Sequence, residues 1–217
     1  LSPYTSGQYK DLLNDPSGIE LGSGKFFVFD LEAISRNPDL FDIVSAIIIE
    51  LSLNIIENDH ASRKTIILEE AIDFLKGKDT AEGEAGLSDM ADFVGSMYRK
   101  IRKRSGQILL VTQGASYLKY IHKIVRESIF SNSDIKLLLE HSGKNEDLVE
   151  ETIKLLGLSS FQEEQLRSLP QEKGANYRGA LLIMGTYSKV LRFELNPYSY
   201  AVFNTDKEEI NRLDALQ

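Results

Sequence analysis

The chain has 217 residues, a formal net charge of −8 and 42% hydrophobic residues, enough apolar material for a sizeable core and too much for a disordered or collagen-like chain. Cysteine is absent, which excludes a disulfide framework, a thiolate zinc site and a cysteine nucleophile; His60, His122 and His141 lie too far apart in sequence for a helical metal pair. The excess of acid argues against a nucleic-acid protein held by bulk positive charge, but leaves room for a local basic patch.

The chain opens Leu1-Ser2-Pro3-Tyr4, without the basic start and apolar core of a signal peptide. It has no initiator Met, which points to an excised fragment. The most apolar stretch, residues 40–56, carries Asp42, Glu50 and Asn54 and falls short of a membrane span. A soluble intracellular domain is expected.

Residues 1–24, rich in Gly, Ser, Pro and Asp, read as an irregular opening segment. Residues 25–31 (KFFVFDL) have the length and composition of a strand. Asn37-Pro38 supplies an N-cap and a first-turn proline. The helix that follows, through Leu40, Ile43, Val44, Ile47, Leu51 and Ile55, is apolar nearly all round and should be deeply buried. Residues 65–68 (TIIL) predict a second strand, ending in Glu69-Glu70.

Residues 76–86 predict a loop. Leu87, Met90, Val94, Met97 and Ile101 then step by three and four along an amphipathic helix that ends in a basic cluster and Gly106. Residues 107–112 predict a third strand, 117–130 a helix and 134–139 a fourth strand. Two short helices are expected at about 145–156 and 160–169, with Ser160 and Glu163 as a capping box for the second. Residues 179–185 and 189–195 predict a hairpin, and Thr205 with Glu208 caps a terminal helix. Strands separated by helices argue for an α/β fold with a mainly parallel sheet flanked by helices and a C-terminal antiparallel hairpin. In such sheets ligands sit beyond the carboxyl ends of the strands.

That rule directs attention to Glu69 and Glu70. An apolar strand followed by two acids resembles a Walker B element: one carboxylate reaches the hydrated Mg²⁺ of a nucleotide, and the next orients the attacking water. The plain alternative is a solvated strand end. Gln113 ends the next strand, where its amide could sense a γ-phosphate; the plain alternative is a turn residue. Arg99, Arg102 and Lys103 share a helix face away from Met97 and Ile101. They suit an arginine finger or a phosphate-binding patch, but also simply complement a helix C-terminus. Gly22-Ser23-Gly24-Lys25 is not a phosphate loop: Ile19 stands where the motif needs Gly, Phe26 where it needs Ser or Thr, and a strand is expected to follow. His122 and His141 read as structural or exposed.

The order of these phrases is more specific than any one of them. Residues 25–35, Asn37-Pro38-Asp39-Leu40, residues 63–72, Tyr98 to Lys103, Val111-Thr112-Gln113, residues 132–139 and Gly185-Thr186 together resemble conjugative-transfer ATPases of the TraG/TraC type, the traffic ATPases of type IV secretion systems. The resemblance spans nearly the whole chain as the C-terminal part of the motor domain. It implies a RecA-like P-loop NTPase fold, ATP and Mg²⁺ as cofactors, and a homo-hexamer peripheral to the inner membrane on its cytoplasmic side. The partners it implies are secretion-channel components and, indirectly, the transferred DNA.

For individual residues it implies a metal-side role through water for Glu69, a catalytic role for Glu70, phosphate sensing by Gln113 and finger roles for Arg99 and Arg102; nucleotide binding involves Glu69, Glu70 and Gln113. Two positions depart from the pattern: many relatives carry Asp where Glu69 stands, and Trp where Ile72 stands. The family's phosphate loop lies upstream of residue 1, so this single-domain portion, 1–217, is expected not to hydrolyse ATP alone. The alternatives are a non-catalytic interaction module of the secretion apparatus and a related DNA-pumping P-loop motor.

Overall fold

The computed structural model describes residues 6–13, 25–59, 61–75, 89–140, 146–169 and 177–203. Along them lie α1 (Lys10–Leu13), α2 (Pro38–Asn58), β1 (Lys64–Glu69), α3 (Asp89–Lys100), β2 (Gly106–Val111), α4 (Lys123–Asn132) and β3 (Ile135–Leu139). Then come α5 (Glu146–Leu156), α6 (Ser160–Arg167), β4 (Tyr177–Met184), β5 (Tyr187–Glu194) and α7 (Pro197–Phe203). Short 3-10 turns occupy Glu32–Ile34, Ala71–Leu75, Ile101–Arg104 and Ala115–Tyr120. The chain divides into two compact units, Leu1–Val111 with Tyr120–Val125, and Thr112–Lys119 with Arg126–Gln217. The class is mixed α/β.

In the first unit β1 and β2 pair in parallel, in register from Lys64 opposite Gly106 to Glu69 opposite Val111. The stripe expected on α3 is buried: Ala91, Val94, Met97 and Tyr98 continue into Ile101. It packs beside α2 and the turn Ala71–Leu75, whose Ala71, Ile72 and Leu75 are also buried. Asn37 caps α2 as its sequence predicts, its side chain accepting the Leu40 N–H at 3.2 Å ahead of Pro38.

Three expectations in this unit need correction. Helix α2 is not deeply buried: Leu40, Ser45 and Ile56 are, but Ile47 and Ile55 are 42% and 39% exposed. Apolar residues surround this helix, and the neighbours among the described residues cover one side of it. Residues 25–31 form no strand, because no neighbouring strand accepts their backbone hydrogen bonds among the described residues. The left-handed residue that ends the basic turn is Ser105, at φ 54°, and not Gly106. Gly106 serves close packing instead, since a Cβ there would lie 2.5 Å from Ile101 Cγ1.

The helix expected over 117–130 is broken. A 3-10 turn runs to Tyr120 and α4 starts at Lys123. Between them the His122 N–H donates to the Leu75 carbonyl at 3.1 Å, a bond made sideways rather than along a helix.

In the second unit β3, β4 and β5 form an antiparallel sheet in that order. β3 is therefore not a parallel strand; it returns against β4. One face of the sheet packs on α5 and α6, where Val149, Ile153, Leu166 and Leu169 meet Leu181 and Ile183, with Leu138 and Leu158 at the margin. The expected hairpin is present and longer than expected. Gly185, at φ 59°, occupies the first position of its two-residue turn, as a type II′ turn requires.

The capping box of α6 falls one residue earlier than expected, with Ser159 and Gln162 exchanging bonds of 3.3 and 3.0 Å. Arg167 ties the two helices together. It bonds Glu146 and Glu150 of α5, and Glu163 of α6 at 3.0 Å. The bond to Glu146, followed by that to Glu163, raises the guanidinium pKa further above its usual value. Helix α7 was not expected, although Asn196-Pro197 repeats the start signal of Asn37-Pro38 and Asn196 accepts the Ser199 N–H at 2.8 Å. The terminal helix at Thr205, the loop 76–86, His60, His141 and Gly22 to Gly24 lie outside the described residues.

The turn that feeds β1 is built on Asp59. Its carboxylate accepts the Ala61 and Ser62 N–H groups at 2.9 and 3.1 Å and also the Ser62 hydroxyl. The Ser62 hydroxyl, followed by the two backbone donors, lowers its pKa to about 2. An unfolded Asp titrates near about 3.9. The folded value is the lower one, so the turn's stabilisation is complete above the unfolded pKa and is lost as pH falls through about 2. Asp59→Asn should therefore be less stable than the parent near neutral pH, with the gap closing between about pH 4 and pH 2. Denaturant titrations across that range provide the check; a gap independent of pH would refute the role.

Candidate nucleotide site

Side chains alternate along β1 and β2. Thr65, Ile67 and Glu69 share one face with Gln107, Leu109 and Val111, and all six are exposed. Ile66, Leu68, Ile108 and Leu110 are half-buried on the other face. Gln107 Nε2 donates to Thr65 Oγ1 at 2.9 Å across the open face. Glu69 stands at the carboxyl end of that face, opposite Val111.

Glu70 continues the ladder by one bond, its N–H donating to the Val111 carbonyl at 3.2 Å. It does so at φ 50°, in the left-handed region. For a residue with a Cβ this conformation costs about 1–2 kcal/mol. The cost is offset immediately downstream. Reversing direction at Glu70 lets Ala71, Ile72 and Leu75 turn at once into the core. The Glu70 side chain remains exposed at the strand end. A strained residue carrying a carboxylate in this place is a candidate functional group.

Gln113 is exposed and follows β2 by two residues, at the start of the second compact unit. The neighbouring Thr112 hydroxyl donates to the Gly114 carbonyl at 3.3 Å. The link between Gln113 and the two acids is its chain position just beyond Val111.

The arginines lie elsewhere. The turn Ile101–Arg104 leads into the first residue of β2, and the strands are parallel, so Arg102 is at the end where both strands begin. Glu69 and Glu70 are at the end where they finish. Six-residue strands separate the two ends by about 16 Å. Arg99 lies one turn earlier in α3, with its guanidinium folded back near Gly95, where a Cβ would lie 3.6 Å from Nη1. The acids are thus brought together with the end of β2, and Arg102 is not brought to them within one copy of the chain.

Among the described residues no group of three or more His, Asp or Glu could enclose a metal ion. Two strand-end carboxylates still suit Mg²⁺, which commonly takes one or two carboxylates and completes its shell with water and phosphate oxygens. The sequence pattern located both acids but gave no sign of the left-handed backbone at Glu70, because that conformation follows from burying the next residues.

Replacing Glu70 by Gly separates the backbone from the carboxylate. Glycine adopts φ 50° without the Cβ penalty, so Glu70→Gly should raise stability by about 0.5–1 kcal/mol after its greater unfolded-state entropy is counted. Chemical denaturation is the measurement; a loss of stability would show that the side chain, and not the core behind it, holds the turn.

No curated protein matches the chain. Among solved structures, VirB4 of Thermoanaerobacter pseudethanolicus superimposes with a TM-score of 0.63 at 20% identity, over 91% of this chain and 48% of that one. The chain therefore spans about half the length of that structure, and the likeness concerns the fold. Among the described residues no helix is long and apolar enough to cross a membrane. The TraG P-loop domain matches residues 1–217, from the first residue to the last, and the chain belongs to that family.

Proposed function

We propose that the chain is the C-terminal portion of the motor domain of a type IV secretion traffic ATPase, coupling ATP hydrolysis to DNA transfer or to channel and pilus assembly. The observation that carries the reading is the pair Glu69-Glu70 at the carboxyl end of a parallel strand, in a chain that matches the family throughout. Family membership implies ATP, commonly with Mg²⁺. When bound, Mg²⁺ neutralises charge on the β- and γ-phosphate oxygens. Glu69 would hold the ion through its water shell. Glu70 would orient the attacking water and take its proton, and the Gln113 amide would donate to the γ-phosphate.

The arginines enter from a second subunit. Arg102 begins about 16 Å from the acids of its own chain, beyond the reach of its side chain, which favours action across a subunit boundary. A homo-hexameric ring at the cytoplasmic face of the inner membrane, docked on channel components, would supply that boundary. The rival reading keeps the fold as a non-catalytic docking module, and turnover by the whole protein separates the two.

In the whole protein, Glu70→Gln should retain ATP binding and lower turnover by about 10²-fold or more. Unchanged turnover would remove Glu70 from the mechanism. A second measurement addresses the arginine. Mixed assemblies of Arg102→Ala and Glu70→Gln subunits should regain part of the activity that each variant alone lacks, because some interfaces then carry an intact acid opposite an intact arginine. If no ratio of the two regains activity, and none does with Arg99→Ala in place of Arg102→Ala, the role in trans is wrong.

A further inference from the structure

The segment that carries Gln113 has little regular structure of its own. Beyond Val111 the chain runs through Thr112, Gln113 and Gly114 into the 3-10 turn Ala115–Tyr120. Six residues is long for such a turn, whose hydrogen bonds are less well aligned than those of an α-helix. Local bonds knit its start. The Gly114 carbonyl accepts the Tyr117 N–H at 3.1 Å and the Thr112 hydroxyl at 3.3 Å. Residues 112–117 are thereby cross-linked with Gln113 among them. Ala115 and Leu118 are buried, but apolar contact is non-directional and does not by itself fix where the turn points.

Direction comes from Lys119, near the end of the turn. Its Nζ donates to Glu151 Oε1 on α5 at 2.7 Å, and its carbonyl accepts Nη1 of Arg126 on α4 at 2.9 Å. α5 is a firm base for such a contact. Val149 and Ile153 are packed against the sheet, and the Thr152 hydroxyl, buried between them in sequence, donates to the Leu148 carbonyl at 2.8 Å. Arg167 holds Glu150, the residue before Glu151. Gln113, Lys119, Arg126 and Glu151 all belong to the second compact unit.

The side chains of Lys119 and Glu151 are 41% and 34% exposed, so solvent screens the pair and its contribution to global stability is small. A contact of this kind does more for geometry than for stability. It joins a poorly self-supported turn to a helix seated on the sheet, six residues along the chain from Gln113.

We propose that Lys119 is a positioning residue for Gln113: its bonds to Glu151 and Arg126 fix the 3-10 turn on α5 and α4, and through that turn they fix the Gln113 amide. The inference rests on the reading of Gln113 as the group that contacts the γ-phosphate. Lys119 itself touches no reacting atom in this scheme.

The test is a double-mutant cycle in the whole protein, read as steady-state ATP turnover. Lys119→Met should lower kcat about fivefold and leave the KM for ATP unchanged, as expected when the lost contact matters only in the transition state. Lys119→Glu combined with Glu151→Lys rebuilds the pair with its charges exchanged and should regain most of the loss. In a Gln113→Ala background Lys119→Met should lower turnover no further. A further loss there, or no recovery in the exchanged pair, overturns the proposal, because a merely structural lysine would act whether or not Gln113 is present.

Hydrogen exchange of the Tyr117 amide, measured without ATP, separates this result from a failure of the nucleotide reading. Lys119→Met should speed that exchange about fivefold, and the exchanged pair should slow it again. If the whole protein turns over no ATP, or Gln113→Ala leaves turnover unchanged, the nucleotide reading fails and the exchange rate alone decides whether Lys119 holds the turn. A Tyr117 amide indifferent to Lys119→Met overturns the positioning role whatever the turnover.

Discussion

Parallel pairing between β1 and β2 is the constraint from which the rest of the first unit follows. Parallel strands share a direction, so whatever precedes one is gathered with whatever precedes the other. The in-register pairing from Lys64–Gly106 to Glu69–Val111 thus places the Asp59 turn and the basic turn together at one end, and both glutamates at the other. An antiparallel pairing of the same two segments would have put the cations beside the acids, where they would neutralise each other. Parallel pairing instead keeps the basic turn and the two glutamates at opposite ends of the strands.

Both ends of β1 are held by specific interactions. At its start, the Asp59 carboxylate organises the turn through the backbone donors of Ala61 and Ser62 and the Ser62 hydroxyl. At its finish, the Glu70 N–H extends the ladder to Val111 while its φ breaks the strand direction. The first device is polar and local. The second depends on burial of Ala71, Ile72 and Leu75. In the second unit the corresponding tie is ionic, with three carboxylates converging on Arg167 between two helices whose apolar faces already meet the sheet.

Much of this was legible in the sequence where one local signal sufficed. The step of Val94, Met97 and Ile101 announced the buried stripe of α3, and Asn37-Pro38 announced the start of α2. The acids at the end of β1 and the position of Gln113 after β2 were likewise visible. Signals that depend on a partner misled. Residues 25–31 have strand composition, but a strand exists only where a neighbour completes its hydrogen bonds. β3 reads identically for parallel and antiparallel pairing, and β4 decided the outcome. The α6 cap slipped by one residue because Ser159 and Ser160 are adjacent and either could serve. The separation of Arg102 from the acids required the strand direction, which no motif encodes.

Gly106 gives the basic corner a mechanical property. The backbone of β2 begins so close to Ile101 that a single methyl group at position 106 would meet its side chain at 2.5 Å. Ile101 is the buried root of the turn that carries the cations. An alanine at position 106 would act as a wedge, tilting that root and re-aiming the charged side chains while altering no charge. The spacing of the corner is therefore adjustable from beneath, through packing alone, by a residue that carries no charge.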